Sequence, residues 1–192
     1  MASPSTAREF SLPRHSERAT RQLVALLVLA AVALWAVTVY LSTAVDVSAA
    51  ARTVALALHV LALVASFGSV LMVDWHGMLW LLGRRELFET IRLDSAASPL
   101  IWGGVGVMMV TGVFLEPDLA SALTLTKLAA VLVLTVNGIM LIPLMRRLVK
   151  MPARTSFSSL PIGQRIHMVV CAGISQAAWW TAIVVGFVNV AD

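Results

Sequence analysis

Charge is scarce in this 192-residue chain: only 12% of its residues are Asp, Glu, Lys or Arg, about half the share found in soluble domains. That scarcity excludes a charged, self-repelling disordered chain and leaves little polar surface with which to meet water. Cysteine occurs once, at Cys171, so an intramolecular disulfide and a CxxC redox or zinc motif are both excluded. Within an apolar run such a thiol is expected to be a small, buried packing residue. An HExxH helix and a glycine-rich phosphate loop ending in lysine are missing too, and with them the signatures of soluble metalloproteases and nucleotide-binding enzymes.

Apolar residues fill the space instead, at 59% of the chain with a mean hydropathy of +0.90. Five runs stand out, at 23–45, 54–82, 97–115, 120–144 and 166–190. Each is near or above the ~20 residues that a helix rising ~1.5 Å per residue needs to cross the hydrocarbon of a bilayer. Helices are required there, because unpaired backbone groups are not tolerated in lipid. The expectation is an all-α, polytopic membrane bundle: a polar basic tail over 1–22 and one transmembrane domain of five helices over 23–190. The first run is about twice the length of a signal-peptide core and reads as a retained anchor, although small residues at 47–51 allow a cleavage site.

The basic residues set an orientation. Arg8, Arg14, Arg18 and Arg21 precede the first run; Arg84, Arg85 and Arg92 follow the second; Arg146, Arg147, Lys150, Arg154 and Arg165 follow the fourth. All of these fall on one side, which the positive-inside rule makes the cytoplasm, with the N-terminus inside and the C-terminus outside. The opposite side keeps Arg52 with Asp46, Glu116, Asp118 and Asp192. A formal charge of +4 spread in juxtamembrane clusters points to anionic lipid headgroups on the cytoplasmic side, and not to nucleic acid. A bacterial plasma membrane is the expected location.

Short connections are expected on the outer side, at 46–52 and at Glu116-Pro117-Asp118, where the proline ends one helix and permits the next. On the inner side, 83–96 alternates charged residues with Leu87, Phe88, Ile91 and Leu93, as an interfacial helix does. The segment 151–163, with Pro152 and Pro161, reads as a loop.

Function must then come from polar groups at membrane depth, where an ionisable side chain costs at least ~2.5–3.5 kcal/mol. In the second run His59, Leu63, Ser66, Val70, Asp74 and Gly77 share one helical face, a polar stripe interrupted twice by apolar residues. Ser69 and His76 form an adjoining line. Lys127 lies about seven residues into the fourth run, at a depth like that of His59, so the two are expected in one layer. Asn137 lies nearer the level of Asp74, and His167 near that of His76. Asp74 has Arg84, Arg85 and His76 as expected partners. Ser66 and Ser69 suit close helix packing, as do Gly103, Gly104 and Gly106. The tryptophans suit interface belts or bundle packing.

From His59 to Lys150 the chain resembles the HemJ-type protoporphyrinogen oxidase family, whose pattern is related to the copper-resistance D (CopD) domain. The likeness rests on His59, Phe67-Gly68 about two turns later and His76 at the far end of the span. A basic segment follows, then Pro99, Gly112, Lys127-Leu128, Val131-Leu132, Asn137-Gly138 and Arg146-Arg147. About half of the chain is covered, and every element is short. The resemblance implies a helical bundle that binds haem b, with His59 as a candidate ligand and Lys127 as the essential, catalytic cation. His76 and His167 are further candidate ligands, able to bracket a haem if helices two and five are neighbours. Asn137 stands where the family has a histidine, and Met168-Val169-Val170-Cys171 stands where an Asn-Glu-x-Pro is expected. Those departures imply a distant relative with altered chemistry. Two other readings stay open: a small transporter or ion pathway in which Ser66, Ser69, Asp74 and Asn137 line a polar route, and a non-catalytic accessory subunit in which they only lock helices together.

Overall fold

The computed structural model describes residues 14–191, with side chains over 17–188. Residues 1–13 of the basic tail, including Arg8, and Asp192 lie outside the described residues, as does the side chain of Arg14. The chain is an all-α bundle of five helices, each long and apolar enough to span a membrane. They are α1 (Arg14–Ala44), α2 (Ala49–Leu81), α3 (Leu87–Val113), α4 (Ala122–Leu148) and α5 (Ile162–Ala191), with a short 3-10 turn at Phe157–Ser159 before α5. At 27 to 33 residues they measure ~40–50 Å, well beyond the ~30 Å hydrocarbon layer. Large apolar side chains such as Leu26, Leu29, Leu61, Val64, Val110 and Phe187 face outward, toward lipid.

Helix boundaries depart from the apolar runs for local reasons. The segment 83–96 is not a separate interfacial helix: α3 starts at Leu87 and passes unbroken into the span, with Pro99 inside it. No helix breaker lies between Leu87 and Ser98, and the proline sacrifices one backbone hydrogen bond without ending the helix. Glu86 opens α3 with a reciprocal capping box to Glu89. The turn before it is tight because Gly83, at φ +69°, closes α2 with a Schellman pattern. There the Arg84 amide donates to the Leu79 carbonyl at 2.8 Å and the Gly83 amide to Trp80 at 2.9 Å. Ser48 and Ser121 cap α2 and α4 through their hydroxyls.

The helices associate as two hairpins, α2 with α3 and α4 with α5, while α1 packs on α4 and α3. One core joins Val70, Val105, Ala130, Leu134, Ala178, Trp179 and Ala182 at mid-depth. A second, at the basic end, joins Trp80, Leu87, Leu144, Leu148, Phe157 and Leu160. The loop between α4 and α5 is drawn onto the first hairpin. Trp80 Nε1 donates to the Thr155 carbonyl at 2.9 Å, the Phe88 amide to Ala153 at 3.1 Å, and Arg154 pairs with Glu86 at 3.0 Å. At the opposite, acidic end, Arg52 reaches Glu116 at 3.4 Å and ties α2 to the α3–α4 turn. Glu116 takes a positive φ of 47° just before Pro117, the tightest point of that turn.

Close approach within the first hairpin depends on Gly104. A Cβ there would stand 2.6 Å from the Ser66 Cβ and 2.8 Å from the Ala62 carbonyl oxygen. Ser66 itself is sealed at 0% exposure, and its hydroxyl donates to the Ile101 carbonyl at 2.9 Å. The small-residue seam of a membrane helix pair is built here from one serine and one glycine.

Candidate functional site

Between the two hairpins and α1, in the half of the bundle nearer the acidic end, lies a partly open cavity of about 830 Å³. All five helices contribute to its wall: Trp35, Thr38 and Ser42 from α1, His59 and Leu63 from α2, Met108, Met109 and Gly112 from α3, Lys127 and Val131 from α4, and Trp179, Ala182 and Gly186 from α5. Its size falls within the ~300–1,000 Å³ range of ligand pockets, and its lining is largely apolar with a few polar groups. Both residues expected in one layer, His59 and Lys127, line this same cavity.

His59 is held in a defined way. Its Nδ1 lies 2.9 Å from the Thr111 hydroxyl, and that hydroxyl in turn donates to the Val107 carbonyl one turn back at 2.7 Å. With the hydroxyl proton on the Val107 carbonyl, Thr111 Oγ1 accepts from His59 Nδ1–H and Nε2 keeps a free lone pair; with that proton turned to Nδ1, the ring proton sits on Nε2 instead. Thr111 is buried on α3, so the ring is oriented by a partner on the neighbouring helix of the tight hairpin. In the first of these two tautomers the ring matches a histidine whose Nδ1–H is held by an outer partner while Nε2 is left to accept.

Space beside both polar groups comes from glycines. A Cβ at Gly112 would lie 3.9 Å from His59 Cε1, and one at Gly186 would lie 3.6 Å from Lys127 Nζ, so a helix backbone faces each group where a side chain would otherwise intrude. Trp35 crosses from α1 and donates its indole N–H to the Leu128 carbonyl at 3.0 Å, closing the side of the cavity next to α4. The Arg52–Glu116 pair and Asp118 form the rim at the acidic end.

The remaining candidates lie elsewhere and apart. Asp74 does not meet Arg84, Arg85 or His76 as its hydrogen-bonding partner; its carboxylate accepts from Gln176 on α5 at 2.6 Å. Asn137 donates to the Cys171 carbonyl at 2.8 Å, locking α4 to α5. Ser69 donates to Ala65 on its own helix, and Ser66 is enclosed in the α2–α3 seam with its hydroxyl on the Ile101 carbonyl, so both serines are engaged in helix contacts. His167 is exposed, and His76 is part-buried with a buried Nδ1 that has no hydrogen-bond partner among the described residues. Helices α2 and α5 are neighbours through the Asp74–Gln176 bond and through Phe67 against Trp179 and Trp180. From that bond His76 lies two residues toward the basic end and His167 nine, an axial offset of ~10 Å.

Thr111 and Gln176 were not legible as site residues. A threonine inside an apolar helix ordinarily bonds its own backbone, which Thr111 also does, and nothing local announces its second bond. Gln176 carried a signal, an amide in an apolar run, but its partner depends on which helices touch.

Among the described residues no group of three or more His, Cys, Asp or Glu side chains is placed to hold a bare metal ion. No protein-family model, curated protein or solved structure matches the chain.

Proposed function

We propose that this integral membrane protein binds an amphiphilic, carboxylate-bearing tetrapyrrole of the haem b type in the cavity near its acidic end. The observation that carries the reading is the His59–Thr111–Val107 hydrogen-bond chain on a cavity wall shared with Lys127. Haem suits this donor set because it asks the protein for one oriented imidazole and not for a cluster of ligands. His59 would hold the group through Nε2, and Lys127 would pair with a propionate, acting as a point charge at membrane depth. Met108, Met109, Leu63 and Trp179 supply the apolar wall, and Gly112 and Gly186 leave the room beside the two polar groups. When bound, the haem would supply one-electron redox chemistry. The protein's own residues orient, pair the carboxylate and exclude water. The setting we infer is a bacterial plasma membrane with the basic end in the cytoplasm, which places the cavity in the outer leaflet.

Absorption spectroscopy tests the reading directly. Detergent-purified protein supplied with haem is expected to show a Soret band shifted from that of free haem, and His59→Ala is expected to abolish the shift while the protein remains monodisperse. A wild-type protein that stays colourless after loading, or a His59→Ala variant with an unchanged spectrum, overturns it.

A further inference from the structure

A second concavity, of about 480 Å³, opens at the basic end between the first turns of α1 and the last turns of α4. Its polar wall is Arg21, Arg146, Arg147 and Lys150 with Glu17 and Thr20; its floor is apolar, made by Ile142, Pro143, Met145 and Val149. The cations are not equivalent. Arg147 is paired with Glu17 at 3.1 Å, and Arg146 is steadied by the Thr20 hydroxyl at 3.1 Å. Among the described residues Arg21 and Lys150 have no ion-pair partner and flank the same cleft. Four cations against one carboxylate leave a surplus of three positive charges over an apolar floor. Backbone dipoles do not decide the sign here, because the N-terminal end of α1 and the C-terminal end of α4 lie side by side and oppose each other.

We propose that this cleft is a binding site for an anionic glycerophospholipid. The phosphate is held by Arg21 and Lys150 with Arg146 as the preset third donor, and the first methylenes of an acyl chain lie on Ile142 and Pro143. Three features select a lipid over a free anion: the cleft sits at the end of two membrane-spanning helices, its floor is apolar, and α1, which forms one of its walls, is almost wholly exposed along its apolar span. Clusters of Lys and Arg at this position recognise anionic headgroups, each cation contributing roughly fivefold in affinity. Arg146 and Thr20 also join the two helices, so an occupant of the cleft would brace α1, which has few other neighbours.

The test uses the full chain in neutral detergent and native mass spectrometry, with phosphatidylglycerol, phosphatidylcholine and inorganic phosphate each added alone. Wild type is expected to retain one phosphatidylglycerol in preference to phosphatidylcholine, and Arg21→Ala with Lys150→Ala together to weaken that preference about 25-fold. A control pair at the same end, Arg84→Ala with Arg92→Ala, is expected to leave it unchanged. Equal loss in the control pair means diffuse attraction and overturns the site. So does equally tight retention of inorganic phosphate, and so does a preference untouched by the cleft variants. Thermal unfolding of each variant without lipid separates loss of the site from loss of the fold.

Discussion

Nδ1 of His59 and Oγ1 of Thr111 stand 2.9 Å apart across the α2–α3 seam, and with the threonine proton on the Val107 carbonyl this contact leaves Nε2 of the ring free. Thr111→Val keeps the shape and removes the acceptor. Haem affinity is expected to fall by about 10–100-fold, as when outer partners of ligating histidines are lost, with a displaced Soret maximum, and Thr111→Ser is expected to restore both. An unchanged spectrum in Thr111→Val would show that the hydroxyl does not position the ring.

Lys127 is expected to read the carboxylate. Wild type should prefer haem over its dimethyl ester by about 10–100-fold, the range of a charge-assisted hydrogen bond, and Lys127→Met should bind the two alike. Competition titrations followed in the Soret region measure the ratio. Persistence of the preference in Lys127→Met removes the lysine from the site.

Gly186 offers a way to fill the cavity without replacing either polar group. Alanine there meets Lys127 at an ordinary contact distance and is expected to be silent, whereas Gly186→Leu should occupy the space beside Nζ and reduce binding at least tenfold. Both variants should unfold at the wild-type temperature. If leucine is as silent as alanine, the guest lies elsewhere.

Gly104 and Gly103 make a matched pair for packing. Gly104→Ala drives a methyl against Ser66 and the Ala62 carbonyl and is expected to cost about 1–3 kcal/mol or more, since that oxygen belongs to backbone that cannot turn aside. Gly103→Ala meets nothing within 4 Å and should be nearly neutral. Thermal unfolding in detergent decides, and equal effects would mean that the hairpin is looser than described.

The Asp74–Gln176 bond joins the two hairpins at 2.6 Å. A double-mutant cycle with Asp74→Ala and Gln176→Ala is expected to give a coupling of about 1–2 kcal/mol, the upper part of the range seen between membrane helices. Proton flux in liposomes should be the same in wild type and Asp74→Asn, because Ser66 is sealed between Asp74 and the cavity. A coupling near zero, or flux that vanishes in Asp74→Asn, turns the bond from a tie into part of a route.

The five spans were legible because lipid imposes one rule on every residue of a span, and composition averaged over about twenty positions reports it. Helix ends were less so: α3 begins well before its apolar run because nothing from Leu87 to Ser98 breaks a helix, and hydropathy registers lipid and not hydrogen bonding. Depth along each run placed His59 and Lys127 in one layer, and both line one cavity. Partners were hidden wherever they depended on which helices touch. Asp74 was matched in sequence to nearby cations, yet it bonds an amide on α5, and the carbonyl taken by Asn137 is equally a product of the α4–α5 contact.

The wall contributed by α1 is the thin side of the cavity at the acidic end: only 6% of the helix's apolar window is buried, and across the cavity its polar tie is the bond from Trp35 to the Leu128 carbonyl. A guest dissolved among acyl chains meets that wall without first passing through water. For such a guest the relevant supply is its mole fraction in the bilayer, so the same protein will show tighter apparent binding in lipid-poor micelles than in lipid-rich ones, where the guest is diluted into a larger volume of hydrocarbon.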